Sequence, residues 1–361
     1  MLRLLIADDS ALMRKYLSEI FKAEGDFDVR LARNGAEALA LALSFAPDVI
    51  TLDVNMPEMD GITCLSRIMV ECPKPVVMVS SLTGNGAEVT LQALALGAVD
   101  FIAKPDGTVS LHIDKIRAEL VGKVRGAARA RLRPRRGLSE RVRTGEGSRS
   151  PAPSRLPAGI PPAAAATEGE PVRGLVLVGV STGGPGALEC ILPRLSRNFP
   201  WPILVAQHMP KSFTGVFARR MGELSELDVI EVTRPMPLCR GVVYIGCGDA
   251  DLLVGSRGGK LTAFSMPASP HHPWHPSVDR LVESALKHLD PKQLLGVMLT
   301  GMGNDGAQSM ADLRSRGGRT IAESEDTAVV WGMPGELVKR DGASLVLPVQ
   351  LIAGQLRLWA T

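Results

Sequence analysis

The chain has 361 residues, 45% of them apolar, a formal net charge of +3 and five cysteines. That length and apolar share suit two folded domains, and no apolar stretch approaches the length of a membrane span. Cys64, Cys72, Cys190, Cys239 and Cys247 are scattered, odd in number and without C-x-x-C spacing. They point to reduced thiols in a cytoplasmic protein and exclude a disulfide framework.

From residue 2 to about 122, strand-like runs at 2–7, 27–32, 48–52, 75–80 and 99–102 alternate with helical stretches such as 11–24 and 35–45. Five such repeats predict a doubly wound parallel sheet covered on both faces. The first run leads straight into Asp8 and Asp9, so it is a strand and not a secretory signal. Acidic residues fall at strand ends: Asp8 and Asp9 after the first, Asp53 after the third. Clustered carboxylates repel unless a cation sits among them, and an oxygen-ligated ion such as Mg²⁺ suits that edge. Lys104, after the fifth strand, adds a fixed positive charge.

Residues 123–171 change character: Arg, Pro, Ala, Gly and Ser dominate and strand-forming runs vanish. Such a stretch cannot bury a core and reads as a flexible linker whose first residues extend the preceding helix. Ten arginines and two glutamates between Arg125 and Arg155 give it a local charge of +8, leaving −5 for the rest of the chain. Basicity therefore belongs to the tether, which argues against a nucleic-acid partner.

The second half, 172–361, opens on an apolar strand that ends at Ser181, with Gly183, Gly184 and Pro185 starting a helix. Gly179-Val180-Ser181-Thr182-Gly183 fits the G-x-S-x-G elbow, in which small neighbours let the serine oxygen stand clear. The same turn also suits phosphate binding or a plain tight turn. A second apolar strand, 203–207, ends at His208, and a third, 293–300, precedes Gly301 to Gly306 with Asp305 among them. If these strands are parallel, serine, imidazole and carboxylate emerge at one sheet edge. A serine needs an imidazole to take its proton, and the imidazole needs a carboxylate to orient it, so Ser181, His208 and Asp305 are assigned those roles. Each also has a plainer reading: Asp305 as the cap of a helix over 307–314, His208 as a strand-end histidine.

Helices are predicted over 185–195, 213–221, 278–289, 335–339 and 347–358, with a strand at 320–322. Short runs between 228 and 264, separated by Gly and Pro, predict an antiparallel excursion. His271, His272 and His275 are interrupted by prolines and lack a fourth ligand, which weakens a metal reading. Asp279 is a rival acid, placed at a helix start where it reads as a cap.

Ile6-Ala7-Asp8-Asp9-Ser10, the run Leu52 to Gly61, Ser80 and Lys104-Pro105 resemble the signature of two-component receiver domains. The resemblance implies a flavodoxin-like fold, phosphorylation of Asp53, and Mg²⁺ held by Asp8, Asp9, Asp53 and the Asn55 carbonyl. It also implies that Ser80 and Lys104 contact the phosphoryl oxygens. Gly179 to Pro185, Gln207 to Pro210, Pro276 to Asp279, Leu299 to Ala307 and Trp331 to Pro334 resemble the catalytic domain of the chemotaxis protein-glutamate methylesterase (CheB) family. That likeness implies a doubly wound α/β/α unit without a cofactor at its hydrolase site. The activity implied is hydrolysis of glutamyl methyl esters on chemoreceptors, releasing methanol, and deamidation of receptor glutamines. Ser181, His208 and Asp305 would be the triad, with backbone donors at Thr182 and Met302 in the oxyanion region and a chemotaxis histidine kinase as phosphodonor. Where members usually carry an Ala-Pro-Gly turn followed by a histidine, this chain reads Gly246-Cys247-Gly248-Asp249-Ala250-Asp251, which bears on receptor preference or surface contacts. A response regulator whose second domain only binds a partner is the alternative, and the complete triad argues against it.

Overall fold

In the computed structural model, which describes residues 1–80, 84–104, 113–132 and 172–360, the chain forms two parallel sheets and one small antiparallel sheet. The first sheet contains β1 (Leu2–Ala7), β2 (Phe27–Ala32), β3 (Val49–Asp53), β4 (Val76–Ser80) and β5 (Asp100–Ala103), in the order β2-β1-β3-β4-β5. Helices α1 (Ala11–Glu24), α2 (Gly35–Ser44), α3 (Gly61–Glu71), α4 (Gly84–Leu96) and α5 (Ile113–Ala128) connect or follow them. Every residue of β3 and β4 is buried, as expected where helices cover both faces of a sheet. Helix α5 continues past residue 122, and residues 133–171, which hold most of the expected linker, lie outside the described residues, as does Pro105.

The second half begins with β6 (Leu175–Val180), α6 (Gly184–Ile191), β7 (Ile203–Gln207), α7 (Lys211–Leu224), β8 (Asp228–Val232), β9 (Met236–Pro237) and β10 (Val242–Gly246). It continues through β11 (Ala250–Arg257), β12 (Lys260–Pro267), α8 (Val278–Ala285), β13 (Leu294–Met298), α9 (Ala307–Ser315) and β14 (Arg319–Glu323), then α10 (Met333–Lys339), β15 (Leu345–Leu347) and α11 (Val349–Trp359). Its seven-stranded sheet has the order β15-β14-β13-β6-β7-β10-β8, and each neighbouring pair is parallel.

Two expectations are corrected here. The region 228–264 is not wholly antiparallel: β8 and β10 pair in parallel and extend the main sheet. Only β11, β12 and the short β9 form the antiparallel piece. Short apolar runs carry no sign of strand direction; the hairpin is set by Gly258 and Gly259, whose φ of 56° and 75° match a type I′ turn. The helix expected over 347–358 is a strand ending at Leu347 and a helix starting at Val349, because Pro348 holds the residue before it out of the helical region.

The halves pack together. Helix α4 lies against α6 and α7. The Phe101 and Phe213 rings are 4.3 Å apart, and a Cβ on Gly126 of α5 would lie 2.9 Å from the Met302 sulfur. One apolar cluster accordingly includes buried residues from both sheets.

Candidate functional site

The parallel order of the first sheet brings the ends of β1, β3 and β5 to one edge. There Asp8, Asp9 and Asp53 place carboxylate oxygens within 4.8 Å of one another. The Lys104 Nζ sits 3.0 Å from Asp8 and 2.8 Å from Asp53. Burial pushes the Asp53 carboxyl above its ordinary value, and the Lys104 ammonium opposes that rise. Burial works to lower the Lys104 pKa, but Asp53 and Asp8 outweigh it and hold the ammonium above its ordinary value. Ser80 is buried beside this edge, its hydroxyl donating to the Gly86 carbonyl at 3.3 Å. Asn55 follows β3 in the next loop, exposed to solvent. Three converging carboxylates served by one lysine fit a hard divalent cation, with the Asn55 carbonyl within the same loop. No comparable group forms around His271, His272 and His275 among the described residues. His275 Nδ1 is instead 2.9 Å from the Asp251 carboxylate.

In the second sheet, β6 and β7 run in parallel with Val180 opposite Gln207, so Ser181 and His208 follow side by side. The His208 N–H donates to the Val180 carbonyl at 3.1 Å. On the other flank, Gly179 lies opposite Met298, and the Ser181 N–H donates to the Thr300 carbonyl at 3.0 Å. The His208 Nε2 is 2.8 Å from the Asp305 Oδ2. The other imidazole nitrogen, Nδ1, is buried and has no hydrogen-bond partner. The Ser181 side chain is half-buried, and a Cβ on Gly301 would lie 2.8 Å from that of Ser181. The turn demands glycine at position 184, where a Cβ would lie 2.0 Å from the Gln207 Oε1.

Asp305 does not cap the helix that follows it; Gly306, at φ 81°, occupies that position. Its carboxylate faces the start of α8 instead, accepting from the Val278 N–H at 2.7 Å, the Asp279 N–H at 3.1 Å and the Ser277 hydroxyl at 3.0 Å. Burial works to raise the Asp305 pKa, but the imidazole and these N–H donors hold it below the usual carboxylate range. Asp279 does not cap its own helix, whose cap is Ser277; its carboxylate accepts from the Ser309 N–H at 3.2 Å. The Trp274 ring stacks 6.1 Å from that of His208.

The loop after β13 is fixed by the Thr300 N–H, which donates to the buried Glu323 carboxylate at 2.8 Å, and by the Thr300 hydroxyl, 2.9 Å from the Thr182 carbonyl. Met302 follows on this loop, its side chain against α5. Thr182 is buried, and its hydroxyl donates to the Asp100 carboxylate at the start of β5. Asp100 in turn lies 3.6 Å from the Lys123 ammonium. The Ser277 to Asp279 cradle and the Asp100 contact were not foreseen from sequence. They join positions 26 to 82 residues apart, and neither follows from any local pattern.

Comparison with known proteins adds to this geometry. The sequence profile described as CheB methylesterase matches residues 176–356, and that of the response regulator receiver domain matches residues 4–114. A protein-glutamate methylesterase/protein-glutamine glutaminase of Rhodospirillum rubrum is 60% identical over 99% of this chain and 96% of its own length. One from Rhodopseudomonas palustris is 55% identical over 99% of this chain and 98% of its own. The crystal structure of the Thermotoga maritima CheB methylesterase catalytic domain superposes with a TM-score of 0.50 at 37% identity, covering 51% of this chain and 97% of that one.

Proposed function

The chain belongs to the CheB methylesterase family, and we propose that it is a phosphorylation-activated protein-glutamate methylesterase that also deamidates receptor glutamines. On this reading residues 1–122 are the receiver, 123–171 the tether and 172–361 the catalytic domain, on methylated chemoreceptors as substrate. No helix among the described residues is long and apolar enough to cross a membrane.

The observation that carries the reading is the His208–Asp305 pair, whose imidazole keeps a buried, partnerless nitrogen, on a residue that follows β7 just as Ser181 follows the paired strand β6. With Nε2–H donated to Asp305, the Nδ1 lone pair takes the Ser181 proton as the hydroxyl oxygen attacks the glutamyl carbonyl carbon. The tetrahedral oxyanion is received by the backbone N–H groups of Thr182 and Met302, a donor of this kind contributing about 3 kcal/mol. His208 then protonates the leaving methanol, or ammonia from a glutamine. Water, deprotonated by the same nitrogen, releases the acyl group from Ser181 as glutamate.

Asp53 accepts the phosphoryl group from a chemotaxis histidine kinase. Asp8, Asp9, Asp53 and the Asn55 carbonyl would hold Mg²⁺, which offsets the charge of the phosphoryl oxygens. Lys104 and Ser80 then meet those oxygens at the ends of β5 and β4. In the unphosphorylated protein the α4–β5–α5 face holds Thr182 and Met302 and restricts access to Ser181; phosphorylation shifts the population towards an open form. The test is methanol release from methylated receptor fragments, with and without a small phosphodonor plus Mg²⁺. Stimulation by the donor, lost in Asp53→Asn, and a fall in release of about 10⁴-fold or more in Ser181→Ala are expected. Release lowered by less than about tenfold in Ser181→Ala refutes the assignment.

A further inference from the structure

Asp251 is not a surface residue: it is fully buried as the second residue of β11. A buried carboxylate is costly unless paired, and this one is fully engaged. It accepts from the Ser269 N–H at 3.1 Å, the His275 Nδ1 at 2.9 Å, the Ser277 N–H at 2.8 Å and the Arg280 guanidinium. All four donors belong to the segment that leads into α8 or to its first turn. Ser277 is the junction: its backbone N–H goes to Asp251 and its hydroxyl to Asp305. Asp305 and Asp251 therefore grip one short segment between them, and the Asp305 grip ends on His208.

We propose that Asp251 is a positioning residue for the esterase reaction, holding the Ser277–Asp279 turn so that its donors orient Asp305 against His208. The inference rests on the reading of Ser181, His208 and Asp305 as the reacting group, and it adds to that group a second carboxylate acting only through Ser277. His275 and Arg280 are the groups that keep Asp251 ionised while buried; burial works to raise its pKa, and their bonds with the Ser277 and Ser269 N–H groups hold it below the ordinary range. Stability alone does not need this arrangement, since well-packed apolar residues in place of all partners of a buried ion pair are often neutral or stabilising. What an apolar residue cannot do is fix the Ser277 N–H.

The test uses the full chain, activated by phosphodonor and Mg²⁺, with kcat and KM measured for Asp251→Asn and Ser277→Ala. Each is also measured in an Asp305→Ala background. A displacement of the orienting carboxylate by about an ångström lowers kcat by roughly 10- to 100-fold, with KM changed by about twofold or less. Because Asp251 acts through Asp305, neither substitution lowers kcat by more than about twofold once Asp305 is alanine, whereas a merely structural role gives the same loss in both backgrounds. Equal losses in the two backgrounds, or an Asp251→Asn protein with native kcat, overturn the proposal. If Asp251→Asn does not fold, Asp251→Glu, which keeps the charge but displaces the carboxylate from the Ser277 N–H, decides by the same criteria. An Asp305→Ala protein with full activity removes the catalytic reading and this one with it; a silent Asp251 beside an essential Asp305 removes this one alone.

Discussion

Asp100→Ala is the sharpest test of how the receiver restrains the esterase, because it alters the receiver and leaves every residue of the catalytic domain in place. The Asp100 carboxylate accepts the Thr182 hydroxyl, one residue from Ser181, in a buried contact between the two halves. A hydrogen bond to a charged group contributes about 1.5–3 kcal/mol, and each 1.4 kcal/mol is about tenfold in a population. Lys123 keeps Glu119 at 3.1 Å and the Phe101 carbonyl at 2.8 Å, so the substitution does not strand it. The Phe101–Phe213 contact and the Met302 packing on α5 remain, so the closed form is weakened and not abolished. Methanol release without phosphodonor should rise by roughly 10-fold, at the lower end of the range set by that bond, while the phosphodonor-stimulated rate is unchanged. Arg131→Ala serves as the comparison. It removes an ion pair to Glu325 that is more than half exposed on both sides, and such pairs contribute about 0–1 kcal/mol, so the basal rate should rise less than about fivefold. A basal rate for Asp100→Ala equal to that of the parent, in protein that still incorporates phosphoryl groups at Asp53, refutes the restraint through Thr182.

Ser181→Ala should lower methanol release by about 10⁴-fold or more while phosphorylation of Asp53 proceeds normally, read as methanol against phosphoprotein yield. Gly184→Ala places a Cβ 2.0 Å from the Gln207 Oε1 and 2.6 Å from a Val180 methyl. It should destabilise the catalytic half by about 1–3 kcal/mol in denaturant unfolding. The folded-state pKa of Asp53 is raised, so its contribution to stability is present below the unfolded value, about 4, and is lost as pH rises through the folded value. Asp53→Asn should therefore raise the Tm of the receiver at neutral pH, seen by calorimetry, while abolishing activation. The Asp305 pKa is lowered, which gives the opposite sign. Its contribution is present above about pH 4 and is lost as pH falls through its folded value, so the Tm deficit of Asp305→Asn should be largest at neutral pH and shrink in acid.

The parallel strands were legible because strands buried on both faces have no alternation to confuse: Leu175–Val180 reads as an apolar run, as does 203–206 before Gln207, and both strands are wholly buried. The positions of Ser181, His208 and Asp305 were legible for the same reason, since each directly follows, or closely trails, such a run. What sequence could not give was direction at the sheet margin, where Asp228–Val232 and Val242–Gly246 are short and flanked by Gly and Pro whichever way they pair. It also could not give partners chosen across the fold. Asp305 looks locally like the cap of α9, and only the proximity of α8 shows that its acceptors are used 26 to 28 residues upstream.

The same limit explains why the link between the two halves was invisible in the sequence while both end points were in plain view. Strand β5 has four residues, with Asp100 at its amino end bound to Thr182 and Lys104 just past its carboxyl end bound to Asp53. It is clamped along its length to β4, from Val77 opposite Asp100 to Ser80 opposite Ala103. This edge strand is paired to β4 at each of its four positions and spans about 13 Å at 3.3 Å per residue. When Asp53 carries a phosphoryl group, the Lys104 ammonium has to follow the new oxygens, and Ser80 lies on the strand paired beside it. Lys104, which pairs with Asp53 at the end of β3, and the latch on Thr182 therefore sit at opposite ends of β5. That predicts non-additivity: Lys104→Ala should block activation by phosphodonor in the parent chain, yet have little effect on the raised basal rate of Asp100→Ala, because the element it acts through has already been uncoupled. An Asp100→Ala protein whose basal rate falls back to the parent value when Lys104 is also removed would show that the signal does not run through this strand.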